Sequence, residues 1–310
     1  MERPFRLRRT ILSVPANREK MLRKAPRLPA DVIMLDLEDS VPVSEKDVAR
    51  EAAITVLGNS DWQGKVRAVR INGMDSPFAY RDLIDVVEGA GQYVDVLVIP
   101  KVNDAGEIRA LDIFLSQIEA RMGYPHRIGL EASIETALGM LRVGEIAFSS
   151  PRLEALVFGV ADYTASLNMK SKGLSGHGDA EPDYPGDRFH FPLSRMAMAA
   201  KSAGLAAIDA PFGDFRDLEG LSLSCSKSAA LGYDGKWAIH PDQLECINEV
   251  YSPSAEDFER SQRILAAYRE AQKLGRGSVA LDGKMVDAAS IRIATVTCRQ
   301  WEAIHAGGQQ

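Results

Sequence analysis

The 310-residue chain is 45% hydrophobic and 26% charged, with a net charge of −6 and a pI near 5.5. That composition supplies a core for two domains or one large α/β barrel, and it excludes a general nucleic-acid or anionic-membrane surface. Cys225, Cys246 and Cys298 are odd in number and lack a Cys-x-x-Cys pair, which argues against a disulfide framework or a zinc site. With no apolar run near the ~20 residues of a membrane span and no signal-peptide core, the expectation is a soluble cytoplasmic protein.

Arg3, Arg6, Arg8 and Arg9 open the chain as a basic arm, read either as solvated or as holding a phosphate-bearing ligand. Short β-rich apolar runs then recur at 10–14, 32–37, 66–71, 94–99, 127–134, 155–158, 205–208 and 236–239, each followed by a helix-like stretch. Most of them do not alternate, the pattern of parallel strands covered on both faces. Helix starts are expected at Ser44 with Asp47, at Ser76-Pro77, at Asp104 with Glu107, and at Asp217 and Asp242. About eight strand–helix units predict a TIM (β/α)8 barrel over residues 1–252, with an open doubly wound sheet as the alternative.

Two segments fall outside the repeat. The stretch 170–192 is rich in Gly and Asp, carries His177, Tyr184 and His190, and at that length is expected to be functional. Beyond residue 252 the strands are spent, yet Ser254 and Asp257 open a helix containing Phe258, Ile264, Leu265 and Tyr268. A Gly275-Arg276-Gly277 break then leads through Leu281-Asp282-Gly283-Lys284-Met285 to a last helix. Residues 253–310 are expected to form a helical lid or a subunit-exchanging arm; a helix pair that only buries barrel surface is the plainer alternative.

In a barrel of this kind, chemistry gathers at the C-terminal ends of the strands. Those ends supply Asn17 and Arg18, Glu38 and Asp39, Arg70 and Asn72, Lys101, Glu135, Asp162, the 209–214 turn and His240. The run 31–40 stands out, because a buried strand that ends in Asp36, Glu38 and Asp39 is costly unless those acids meet a metal, a cation or water. Glu135 and Asp162 end neighbouring predicted strands, and two carboxylates with open water positions are how proteins hold Mg2+. Arg70 would face them and can clamp a carboxylate bidentately, so that metal and arginine together suit a small oxo-acid. Each residue alone is accounted for by a rim ion pair; the three together point to a site.

Other motifs carry little. HExxH and GxSxG are missing, residues 58–65 are one position too long for a P-loop with Val66 where a hydroxyl is required, and the glycines of 173–178 lack Rossmann spacing. His177, His190 and His240 are isolated, and read as hydrogen-bonded structural groups before zinc ligands.

A series of blocks makes the pattern specific: Leu12-Ser13-Val14-Pro15-Ala16-Asn17-Arg18, Leu35-Asp36-Leu37-Glu38-Asp39-Ser40-Val41, Val69-Arg70-Ile71-Asn72 and Ile99-Pro100-Lys101. Ile134-Glu135-Thr136, Phe158-Gly159-Val160-Ala161-Asp162-Tyr163, Ala238-Ile239-His240-Pro241 and Asp282-Gly283-Lys284-Met285-Val286-Asp287 follow in order. Through them, over nearly its whole length, the chain resembles the HpcH/HpaI aldolase and citrate lyase β-subunit family, in its branch of malyl-CoA, β-methylmalyl-CoA and citramalyl-CoA lyases. The 183–188 loop, the Phe212-Gly213-Asp214-Phe215 turn and the tail with Asp282 are more similar to malyl-CoA lyases than to the citrate lyase subunit. Ala16 stands where glycine is common and Ser40 where alanine is common.

The resemblance implies a TIM barrel, Mg2+ (or Mn2+) at Glu135 and Asp162, Arg70 at the substrate oxyanion, and a C-terminal lid that brings Asp282 over a neighbouring subunit's site in a homotrimer or hexamer. It implies reversible Claisen-type cleavage of a 3-hydroxyacyl-CoA such as malyl-CoA to glyoxylate and acetyl-CoA, with Asp282 moving a proton at the acetyl-CoA methyl carbon. The expected partners are thus a small-molecule acyl-CoA and a 2-oxo acid. Glu38 and Asp39 then become groups that orient metal-bound water and Arg70. Arg9, Arg18, Lys24 and Pro241 are the candidate CoA contacts, the basic three for its phosphates. Thioester hydrolysis of malyl-CoA, cleavage of citramalyl- or citryl-CoA, and a non-catalytic lyase subunit are the alternatives.

Overall fold

Eight parallel strands close into a barrel in which every strand lies beside its neighbours in sequence and the last pairs with the first. They are β1 (Thr10–Pro15), β2 (Val32–Asp36), β3 (Val66–Arg70), β4 (Val96–Ile99), β5 (Gly129–Ile134), β6 (Leu153–Phe158), β7 (Ala206–Asp209) and β8 (Gly235–Ala238). This computed structural model describes residues 3–170, 186–275 and 277–306. His177, Tyr184, the glycines of 173–178, the block up to residue 185 and Arg276 lie outside them.

The pairing of Ile11 with Trp237 decides for the closed barrel over the open sheet. β2, β4, β5, β6 and β8 are buried at every residue, because one face of each meets the barrel interior and the other the helices. Ile11, Met34, Ala68, Val98, Val157, Ile208 and Trp237 belong to one packed cluster drawn from seven strands, so the interior is a filled core rather than a pore.

The connecting helices are α1 (Glu19–Lys24), α2 (Lys46–Asn59), α3 (Ala79–Ala90), α4 (Ala105–Met122), α5 (Ala137–Leu141), α6 (Val143–Ala147), α7 (Val160–Ser166), α8 (His190–Ser202), α9 (Leu218–Ala230) and α10 (Leu244–Tyr251). Asp104 and Asp217 cap α4 and α9 as expected, accepting from the backbone N–H of Gly106 and Gly220. Three other starts differ. A 3-10 turn at Val43–Glu45 precedes α2, so Ser44 makes no cap; α3 begins two residues after Pro77; and His240, rather than Asp242, caps the turn after β8. Residues 58–65 run from the end of α2 into β3, the reverse of the strand-to-helix order a P-loop needs.

The basic arm is neither solvated nor at the rim. Arg8 is buried against Glu131 (2.7 Å) and Glu154, and Arg6 joins Glu154 (3.2 Å) to Asp95 (3.1 Å). Arg9, just ahead of β1, holds Asp31 through Nε at 2.9 Å and Nη2 at 2.7 Å. These ion pairs sit at the N-terminal ends of the strands, where the arm plugs the barrel.

The chain divides into two compact units, residues 1–249 and 250–310. In the second, α11 (Ala255–Lys273) opens on a reciprocal Ser254–Asp257 capping box. β9 (Val279–Leu281) and β10 (Lys284–Val286) form an antiparallel hairpin, and α12 (Ala288–Ala306) stacks Trp301 on Phe258 of α11 with ring centroids 5.1 Å apart. The hairpin turns through Asp282-Gly283 with φ of +49° and +74°, the positive pair that an Asp-Gly dipeptide favours.

Candidate active site

Consecutive strand ends assemble the site. The β2–β3 register sets Asp36 opposite Arg70, and the carboxylate accepts from Nε at 2.6 Å and Nη2 at 2.7 Å. Asp36 also accepts from the Glu38 and Ser40 backbone N–H groups (2.9 and 3.3 Å) and from the Ser40 hydroxyl. Burial works against the charge on Arg70, but Asp36 and then Glu38 and Glu135 more than offset it, so its pKa is raised. The guanidinium also lies over the Trp237 ring, 5.4 Å from its centroid. Asp36 occupies the Nε–Nη2 edge, and Glu38 Oε2 lies 3.0 Å from Nη1 on the remaining edge.

The loop after β2 is stapled in place. Lys46, the first residue of α2, donates to the Leu37 and Glu38 carbonyls at 2.7 Å each, and Asn72 Nδ2 donates to the Leu37 carbonyl at 3.1 Å. Glu38 thereby points between Arg70 and Lys101, whose ammonium also holds Asp39 at 3.0 Å. Burial raises the Glu38 pKa, with the two cations opposing.

Glu135 follows β5 and is 4% exposed. Its Oε1 accepts from the Lys101 backbone N–H at 2.5 Å. Burial, together with Glu38 and Asp162 and against the pull of Arg70, pushes its pKa up to about 7. Its other oxygen lies against Gly159, the N-cap of α7, where an added Cβ would sit 2.2 Å from Oε2, so any larger residue there must displace Glu135. Asp162 is half-buried in the first turn of α7.

The structure thus brings Glu38, Asp39, Arg70, Glu135 and Asp162 to neighbouring strand ends of one rim. Arg18, at the start of α1, and Lys24, at its end, are exposed, and Pro241 follows β8, which neighbours β1. Arg9 is a correction: it stands at the opposite end of β1, committed to Asp31, and is not available to a ligand at the rim. Asp282 lies at the hairpin tip of the second unit, 2.8 Å from Arg263. Asp209 is drawn from the rim into a fully buried pair with Lys236 at 2.5 Å. His240 is a cap stacked on Phe215 at 4.4 Å.

Sequence reasoning assigned no role to Asp36, the anchor of Arg70, nor to Gly159, and it counted Lys101 only among the rim groups. The signal for Asp36 was present, as the one acid still inside an otherwise apolar strand.

Among the described residues no three or more His, Cys, Asp or Glu side chains converge as a metal cage. Glu135 and Asp162 are instead an all-oxygen pair that leaves most positions to water and substrate, as Mg2+ prefers. Burial and two neighbouring acids disfavour the Glu135 charge more than Arg70 favours it, and a divalent cation held by the Glu135–Asp162 pair would offset that balance. The donor set fits the metal.

A closed (β/α)8 barrel with an anchored arginine beside two carboxylates at one rim has the makings of a metal-assisted enzyme for small oxyanionic substrates. The chain belongs to the HpcH/HpaI aldolase/citrate lyase family, whose model matches residues 9–241. It is 41% identical over 305 residues to an L-malyl-CoA/β-methylmalyl-CoA lyase of Rhodobacter capsulatus, covering 96% of both chains. A (3S)-malyl-CoA thioesterase of Cereibacter sphaeroides is 37% identical over 305 residues, covering 98% of this chain and 97% of that one. Among solved structures, the CitE protein of Mycobacterium tuberculosis in complex with magnesium, acetoacetate and coenzyme A is 30% identical with a TM-score of 0.72, covering 94% of this chain and 97% of that one. Among the described residues no helix is long and apolar enough to cross a membrane.

Proposed function

We propose that the protein is a Mg2+-dependent carbon–carbon lyase that reversibly cleaves malyl-CoA or a near homologue to glyoxylate and an acyl-CoA. The observation that carries this reading is the Glu135–Asp162 pair beside an Arg70 that Asp36 aims at the same rim. The 41% identity to a malyl-CoA/β-methylmalyl-CoA lyase supports the substrate class.

Glu135 and Asp162 hold Mg2+, which when bound supplies a Lewis acid that stabilises charge on substrate oxygen. Arg70, with one edge spent on Asp36, presents the other to the oxygen on which charge builds as the C–C bond breaks. Because Asp36 holds the guanidinium before substrate arrives, its reorientation costs little in the transition state. Glu38 and Asp39, tied to Lys101, orient Arg70 and nearby water. In cleavage the substrate hydroxyl loses its proton to solvent water as the C–C electron pair moves to the methylene carbon and the glyoxylate carbonyl forms, and protonated Asp282 gives that carbon a proton; condensation runs both transfers in reverse. For it to do so the second unit acts as a lid, in an assembly of three or six chains where it serves a neighbouring site. Arg18, Lys24 and Pro241 form the CoA side of the rim, with the two cations on the phosphates.

Thioester hydrolysis is the second reading, favoured by the 37% identity to a malyl-CoA thioesterase. The deciding experiment incubates purified protein with malyl-CoA, with and without EDTA. Glyoxylate plus acetyl-CoA, lost on chelation, is the expected outcome. Free malate plus CoA means a hydrolase, and cleavage undiminished by EDTA rejects the Mg2+ role.

A further inference from the structure

Lys101 is one of four non-glycine residues with positive φ among the described residues, at +52°. The left-handed region costs an L-residue on the order of 1 kcal/mol, and lysine has no side-chain device to lower that cost as Asn and Asp do. Gln63, Asn168 and Asp282 share the conformation outside the strand-end cluster, whereas Lys101 adopts it two residues past the end of β4, in the middle of the rim. The conformation is held from outside: Asn103 Nδ2 donates to the Lys101 carbonyl at 3.0 Å, and Thr136 Oγ1, one residue after Glu135, donates to Asn103 Oδ1 at 2.5 Å.

That backbone geometry lets opposite ends of one residue serve two acid groups. The amide N–H reaches Glu135 Oε1 at 2.5 Å, while the ammonium reaches Glu38 and Asp39. The N–H thus anchors Oε1, while Oε2 occupies the space that the missing Cβ of Gly159 leaves. Glu38 is likewise fixed between Lys101 and Arg70. We propose that Lys101 is a two-ended positioning residue: its left-handed backbone sets the metal carboxylate Glu135, and its ammonium sets the Glu38–Arg70 pair that faces the substrate.

The inference rests on the proposed function, and substitutions at the one position separate its two halves. Lys101→Gly removes the ammonium but adopts positive φ freely, so the N–H to Glu135 survives. Lys101→Val removes the ammonium and, being β-branched, resists positive φ, so both halves are lost. Mg2+ binding to the EDTA-stripped protein, followed by calorimetry without substrate, reads the backbone half; kcat at saturating Mg2+ reads the side-chain half. Lys101→Gly is expected to bind Mg2+ within about threefold of the unsubstituted protein and to lose about 100-fold or more in kcat. Lys101→Val is expected to lose at least tenfold in Mg2+ affinity as well. Lys101→Arg, which keeps a cation over a similar reach, should recover part of kcat relative to Lys101→Gly. Equal Mg2+ affinity in the Gly and Val variants, or full kcat in Lys101→Gly, overturns the two-ended role. An unsubstituted protein that binds no Mg2+ overturns the proposed function itself, before any variant is compared.

Discussion

Asp36 and Arg70 are register partners on adjacent parallel strands, and the acid grips the guanidinium by one edge, at 2.6 and 2.7 Å, with itself fully buried. Such a pair fixes a cation against the barrel core and dictates which of its N–H groups remain for a ligand. Asp36→Asn keeps the shape and removes the charge. Breaking a buried pair from one side costs about 3–5 kcal/mol, and a loosened Arg70 should lower kcat/KM by about 100-fold or more. Urea unfolding and steady-state kinetics check the two effects separately.

Glu135 predicts a pH dependence of the metal-free protein. Its pKa is raised from 4.5 to about 7, so its contribution to stability is fully present below about 4.5 and is lost as pH rises through 7. That difference corresponds to about 3 kcal/mol. In EDTA, therefore, the protein should lose stability between pH 5 and 8, Glu135→Gln should flatten the trend, and saturating Mg2+ should stabilise more at pH 8 than at pH 5.5. A Glu135→Gln variant with an unchanged slope would assign the effect to another group.

Gly159 tests the packing behind Glu135, the carboxylate proposed to hold the metal. A Cβ there would lie 2.2 Å from Glu135 Oε2 and 2.3 Å from Glu135 Cβ, so Gly159→Ala must displace the side chain. Mg2+ affinity is expected to fall by about 10- to 100-fold, though residue 159 is no ligand, while circular dichroism reports an intact barrel.

Asp282 sits in an exposed turn whose side chain is 60% accessible and pairs with Arg263. Asp282→Asn tolerates the same positive φ and should leave folding and Mg2+ affinity unchanged while abolishing turnover. Unchanged turnover would falsify the proton-transfer role.

At the far end of the barrel, Arg8→Met should separate stability from chemistry. It leaves Glu131 and Glu154 buried without their shared cation, at a cost of about 3–5 kcal/mol, yet stands remote from the rim. The folded variant should turn over at the unsubstituted rate; a loss of kcat would show that the plug reaches the site.

The sequence alone determined the eight strands, because buried parallel strands need continuous apolar β-rich runs, and such runs are legible one residue at a time. It also determined which acids and cations end those strands, since helix and strand boundaries fall within a few residues of where their patterns change. Only the tertiary structure decided what each of those charges faces. The sequence places Arg9 a few residues from Arg18, yet a strand's length separates them, so Arg9 meets Asp31 at the plug. Asp36 reads as one acid among three until strand register sets it opposite Arg70. Lys101 carries no sequence sign of its left-handed backbone, because lysine has no preference for it; Asn103, Thr136 and the closed barrel impose it. Charge partners are long-range facts, set by register and closure, and a linear chain shows only which charges are present to be paired.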